Sequence, residues 1–157
     1  MSGRRVSQYS LLLALLCLLL GCQSSDRVLP LQSVLEWPEQ HLLFVADSRQ
    51  GKVQSFFLGS GAPVPFAQTH DPQRSSVRDL QLDTQRGQLW VLGNDGISVH
   101  KARGLIRQKH IPLNGQMVSA MRIDAGNVWL LDGAGERIGQ IDQRTLVASW
   151  LSGDRRG

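Results

Sequence analysis

The chain has 157 residues, with 17 Lys and Arg against 13 Asp and Glu, four His and two Cys, and 41% of it is hydrophobic. That length suits one ordinary domain with its own core. The charges are scattered and no basic stripe alternates with aromatics, which argues against a nucleic-acid partner.

Arg4 and Arg5 make a short positive segment, and Ser10 to Leu20 is nearly all Leu. The run suits a signal-peptide core and falls short of the roughly 20 apolar residues that a spanning helix needs. It ends in Leu19-Leu20-Gly21-Cys22, which resembles the lipobox of bacterial lipoproteins. The resemblance implies cleavage between Gly21 and Cys22, a diacylglyceryl group on the Cys22 thiol and an acyl chain on the new amino group. Each buried CH₂ is worth about 0.8 kcal/mol, so two or three such chains hold a protein to a bilayer. Gln23 stands where an inner-membrane retention signal carries Asp, so the expected address is the outer membrane, facing the periplasm. An uncut N-terminal anchor helix is the alternative. A twin-arginine export signal is a weaker one, because Val6-Ser7-Gln8 lacks the usual apolar pair.

On this reading residues 1–21 are the signal peptide, 22–30 the lipidated Cys and a small polar tether, and 31–157 the folded domain. Cys17 leaves with the signal and Cys22 carries lipid, so the mature 136 residues have no free thiol, disulfide or thiolate metal site. Setting Arg4 and Arg5 aside leaves 15 basic residues against 13 acidic ones, so part of the basic balance belongs to the signal.

From residue 31 onward β-formers are interrupted by Gly, Asp, Asn and Pro, with no sustained helical period, which predicts an all-β domain. An internal repeat organises it. Val77–Asp83, Gly87–Leu92 and Gly96–His100 are matched by Val118–Asp124, Gly126–Asp132 and Arg137–Asp142, with first runs 41 residues apart and Trp90 and Trp129 39 apart. An earlier copy shows His41–Asp47 and Lys52–Phe57, with its opening strand expected within Leu31–Trp37. Fourth strands are expected at Ile106–Leu113 and Leu146–Leu151. In the first strand Leu80 and Leu82 alternate with Asp79, Gln81 and Asp83. The second strand is apolar on both faces, as in Leu89-Trp90-Val91-Leu92 and Val128-Trp129-Leu130-Leu131, and so needs a layer on each side. Turns are placed at Thr84–Gly87, Asn94–Gly96 and Asp132–Gly135, where Gly and Asn tolerate positive φ.

These units resemble β-propeller repeats. Leu43-Phe44-Val45-Ala46-Asp47-Ser48 followed by Lys52-Val53-Gln54 is similar to an NHL-type repeat. Ile141-Asp142-Gln143-Arg144-Thr145, ending at Trp150, is similar to the blade edge of YVTN or quinoprotein-type repeats, which carry Gly where this chain has Leu146. The resemblance covers Leu31 to Leu151 and implies three four-stranded blades, a partial or half β-propeller. Periplasmic propeller lipoproteins include the accessory subunit of the outer-membrane β-barrel assembly machine, a similarity of architecture and address only. Propellers usually close with 4–8 blades, so three leave an apolar face at each end. The expected alternatives are that two copies close a six-bladed ring, that a partner supplies the missing blades, or that residues 28–37 and the C-terminal tail cap the stack.

Candidate chemistry is sparse. His41, His70, His100 and His110 form no ligand pair, and each reads as a surface or strand residue. Asp47, Asn94 and Asp132 follow the second strand at equivalent blade positions. Six-bladed sugar-lactonase propellers converge such side chains on a divalent metal; turn closure is the commoner use. Ser119, Ser149 and Ser152 lack a nucleophile-elbow context, and the glycine turns precede strands rather than the helix a phosphate loop needs. Trp90 and Trp129, in register, mark core packing, and Trp37 and Trp150 read as packing residues rather than exposed contacts. The expected function is a non-catalytic binding or scaffold lipoprotein with no cofactor. The alternative is a small lactonase-like or ligand-binding propeller with a metal.

Overall fold

The computed structural model describes residues 34–59, 61–69, 76–124 and 126–151. Gly21, Cys22, the tether, His70 and Ser152 lie outside the described residues, as do most of the two segments named as end caps.

Three four-stranded antiparallel sheets follow one another along the chain, as the repeat requires. Blade 1 is β1 (Val34–Trp37), β2 (Leu42–Asp47), β3 (Lys52–Phe57) and β4 (Val64–Gln68). Blade 2 is β5 (Asp79–Asp83), β6 (Gln88–Leu92), β7 (Gly96–Lys101) and β8 (Ile106–Pro112). Blade 3 is β9 (Val118–Asp124), β10 (Asn127–Asp132), β11 (Ile138–Asp142) and β12 (Ala148–Leu151). Each sheet is ordered by sequence, first strand to fourth. First strands neighbour one another from blade to blade, β1 with β5 and β5 with β9. The sheets therefore fan about a line beside their first strands. The described helical structure is one 3₁₀ turn, Pro38–Gln40.

The second strands are apolar on both faces because the stacking needs both. Leu89 and Val91 face blade 1, joining Phe44, Leu42, Ala46, Val53 and Leu80 in one core. Trp90 and Leu92 face blade 3, joining Ile97, Val99, Met121, Val128, Leu130 and Ile141 in another. Hydrophobic burial thus sits between blades, with blade 2 sandwiched.

The outer hairpins bring two leucines into the left-handed region. Leu105 has φ 52° and Leu146 has φ 58°, each just before the fourth strand of its blade. Leu146 does what glycine does in the similar repeats, and its side chain packs on the core between blades 2 and 3. Glycine at these turns is used in two ways. Gly87 and Gly135 take positive φ, as expected. Gly96 and Gly133 do not; a Cβ on Gly96 would sit 2.6 Å from the Ile111 carbonyl oxygen, and one on Gly133 would sit 2.9 Å from Met117 Cβ. These two positions are glycine for closeness rather than for backbone freedom.

Sequence reading did not place β4. Its run Val64-Pro65-Phe66-Ala67-Gln68 contains Pro65, which fits only an edge strand, and its pairing with β3 is offset by a bulge between Ser55 and Phe56.

Candidate functional site

The three polar residues at the end of the second strands are engaged locally. Asp47 Oδ1 accepts the backbone N–H groups of Arg49 (3.0 Å) and Gln50 (3.1 Å). Asp132 Oδ1 accepts from Glu136 N at 2.8 Å, and its Oδ2 accepts from Arg137 Nε at 3.1 Å. The backbone N–H of Arg137, opposed by partial burial and aided by the Arg137 side chain and Glu136 N–H, holds this carboxyl below the usual carboxylate range. Asn94 Oδ1 accepts from Arg78 Nε at 2.6 Å. Among the described residues no group of three or more His, Cys, Asp or Glu comes together in a way that could hold a metal ion.

Two of the same turn acids recur at the opposite hairpins. Asp83 Oδ1 accepts from Arg86 N at 3.0 Å and Asp142 Oδ1 from Arg144 N at 2.7 Å. Each closes a tight turn from its first position, the ordinary role of Asp there.

His100 is the most buried histidine described, at 0% exposure, on β7 facing blade 1. Its Nδ1 lies 3.1 Å from the Leu105 carbonyl and its Nε2 lies 2.9 Å from Ser98 Oγ. A carbonyl only accepts, so Nδ1 carries the proton and Ser98 donates to Nε2. The pair has the composition of a nucleophile and base, but both side chains are sealed between blades 1 and 2. His41 lies exposed in a turn with its ring edge on Phe57, and His110 is exposed on β8. Ser119 Oγ donates to the Asp132 carbonyl at 2.9 Å, and Ser149 Oγ donates to the Gln140 carbonyl at 3.4 Å.

Arg78 and Asp79 join the first strands of blades 2 and 3. Arg78 Nη1 donates to the Val118 carbonyl at 3.1 Å, and Asp79 Oδ2 accepts from Met121 N at 2.8 Å. Burial pushes the Asp79 carboxyl up, against the opposing pull of the Met121 and Leu80 N–H groups and the Gln81 side chain. A crevice of about 190 Å³ between the same blades is lined by Gln88, Trp90, Val99, Lys109 and Gln143 among others. Its size and mixed lining suit ordered water, and none of the histidines, serines or turn acids named from the sequence is among its lining residues.

Both ends of the stack leave apolar surface uncovered. β10 alternates so that Val128 and Leu130 face blade 2, leaving Trp129 and Leu131 on the opposite side. There Leu131 pairs with Ile138 and Ile138 with Leu151, exposed by 37%, 49% and 50%. A shallow groove of about 320 Å³ runs over Ala120, Trp129, Leu131 and Ile138. Register places Trp129 where Trp90 sits in blade 2, yet Trp90 is 1% exposed and Trp129 is only half-buried. The expectation that both are core residues is therefore corrected for Trp129: among the described residues no blade packs on the outer face of blade 3. Trp37 and Trp150 pack as expected, Trp150 lying over Gly139 with the Arg137 guanidinium 5.1 Å from its ring. At the other end, Val34, Leu43, Val45 and Phe56 share the outward face of blade 1.

No protein-family model and no curated protein matches the chain. Solved structures do match, and they share its fold. The Neurospora crassa Pan2 WD40 domain superposes with TM-score 0.61 at 16% identity, covering 76% of this chain and 37% of that one. A putative 6-phosphogluconolactonase from Bacteroides fragilis gives 0.60 at 14%, covering 76% and 37%. BamB from Moraxella catarrhalis gives 0.58 at 15%, covering 79% and 36%. The chain spans little more than a third of each of these. Together with the fan of three four-stranded sheets, they establish that the chain is built of β-propeller-type blades.

Proposed function

We propose that this is a non-catalytic lipoprotein, anchored through Cys22 and facing the periplasm, that binds or scaffolds envelope proteins through the end faces of its blade stack. The observation that carries this reading is the outer face of blade 3, where Trp129, Leu131, Ile138 and Leu151 form an apolar surface flanking a shallow groove. Apolar patches of this kind mark protein-interaction sites. The lipobox-like residues 19–22 support the address. The likeness to BamB is compatible with it at the level of fold.

The likeness to a putative lactonase favours a second reading, a ligand-binding or hydrolytic propeller with a divalent metal. Asp47 and Asp132 count against it, because their carboxylates already close turns. Two experiments test the first reading. Labelled palmitate should enter the chain, and the Cys22→Ser variant should not take it up. A photo-crosslinking residue at position 138 should capture a protein in intact cells, while one at the exposed Lys52 should not. Loss of both signals overturns the proposal.

A further inference from the structure

The two end faces are unlike each other, and the difference is informative. Register places the exposed face of blade 3 in the position that blade 2 presents to blade 3. Trp129, Leu131, Ile138 and Leu151 stand where Trp90, Leu92, Ile97 and Ile111 stand, and those four are at most 6% exposed. The exposed face of blade 1 corresponds instead to the face that blade 3 turns back on blade 2. Val34, Leu43, Val45 and Phe56 stand where Met121, Val128, Leu130 and Ile141 stand. Among the described residues the stack thus presents, one at each end, the two halves of an interface it already makes twice internally.

Charge agrees with this matching. On the free face of blade 3 the first strand carries exposed Arg122 and Asp124, and on that of blade 1 it carries exposed Glu36; by the register of the Asp79–Met121 bond, Arg122 holds the place that would lie against Glu36. First strands are the ones that neighbour each other from blade to blade. Stacking blade 3 on a further blade 1 brings a cation and an anion to adjoining strands. Stacking blade 1 on blade 1 would instead bring two Glu36 carboxylates together.

We infer that the face of blade 3 is covered by blade 1 of a second copy of this chain, the two copies closing head to tail into one ring. The inference rests on the reading that the end faces are binding surfaces and names what binds there. Such a contact is heterologous, and it ends rather than growing into a fibre only because two half-rings meet at both junctions. Ring closure also removes both exposed end faces and the apolar area they leave in water.

The test uses the full chain in a density-matched detergent. Sedimentation equilibrium should give a dimer, and Ile138→Asp should give a monomer. Arg122→Glu alone and Glu36→Arg alone should each weaken the dimer by about tenfold or more, because each puts like charges at both junctions. An equimolar mixture of the two variants should restore the dimer, since every junction then pairs unlike charges. That rescue also shows that neither variant has unfolded. A monomer at every concentration, or a mixture no tighter than either variant alone, overturns the inference. If the chain is monomeric while position 138 still captures another envelope protein in cells, the second copy is wrong and the binding-face reading stands. If position 138 captures nothing as well, both fall.

Discussion

Asp79 on β5 accepts the backbone N–H of Met121 on β9 at 2.8 Å, so one carboxylate links the first strands of two blades. The bond satisfies a buried N–H, but burial also penalises the charge, and the folded-state pKa is raised from 3.8. The native state therefore holds this proton to higher pH than the unfolded chain does, and Asp79 costs stability progressively as pH rises from 3.8 through the folded value. Asp79→Asn should remove that slope, so its stability relative to wild type should rise with pH across this window. Asp79→Ala should remove the same slope but lie about 1–3 kcal/mol below Asp79→Asn throughout, because Met121 N–H is left unpaired. Urea unfolding from pH 3 to 7 separates the two outcomes.

Asp132 runs the other way. Its folded pKa is lowered from 3.8, first by the Arg137 backbone N–H, so its contribution is present above that value and is lost as pH falls below it. Asp132→Asn should flatten the acid side of the stability profile. Unchanged acid sensitivity in the variant would show that the β10–β11 turn does not depend on this charge.

Leu105 and Leu146 share a strained backbone but differ in burial, so glycine should act on them differently. A left-handed leucine costs roughly 1–2 kcal/mol, while removing a buried leucine side chain costs about 2.7–5 kcal/mol. Leu105 is 3% exposed, so Leu105→Gly should lose about 1–3 kcal/mol net. Leu146 is half-buried, and Leu146→Gly should be close to neutral. Denaturant midpoints for the two variants, read side by side, decide this.

Gly96→Ala should lose about 1–3 kcal/mol through overpacking, because the added methyl meets the Ile111 carbonyl oxygen at 2.6 Å and backbone on β8 must give way. Gly135→Ala, in open space but at φ 73°, should lose about 1–2 kcal/mol for backbone reasons alone. A structure of the first variant should show β8 displaced. An undisplaced β8 would rule out the steric explanation.

Chelation separates the two functional readings. The scaffold reading expects the melting temperature to be unchanged within about 1 °C after chelator, whereas a bound metal would add stability by mass action. A fall of many degrees would favour the metal-bearing propeller.

Trp90→Ala and Trp129→Ala test what the repeat means. Loss of a buried tryptophan costs about 3–5 kcal/mol, which is the expectation for Trp90. Trp129→Ala should cost clearly less in the separated chain and should chiefly weaken association.

Much of this architecture was legible in the residues themselves. Strand period, the doubly apolar second strands and the turn-closing use of Asp47 are local features. Alternation along a strand and a side chain bonding two or three residues ahead need no knowledge of the rest of the chain. The same locality explains why three blades could be counted, and why β4, with Pro65 and a bulge, escaped. What only the tertiary structure decided is which face has a neighbour. Asp79 alternates with Leu80 and Leu82 on the polar side of its strand, and it is buried because β9 lies against that side. Trp129 reads as the equal of Trp90 and is half-exposed, because burial belongs to a pair of stacked blades while a repeat belongs to one. Sequence repetition sets what each blade offers, and stacking sets what is covered.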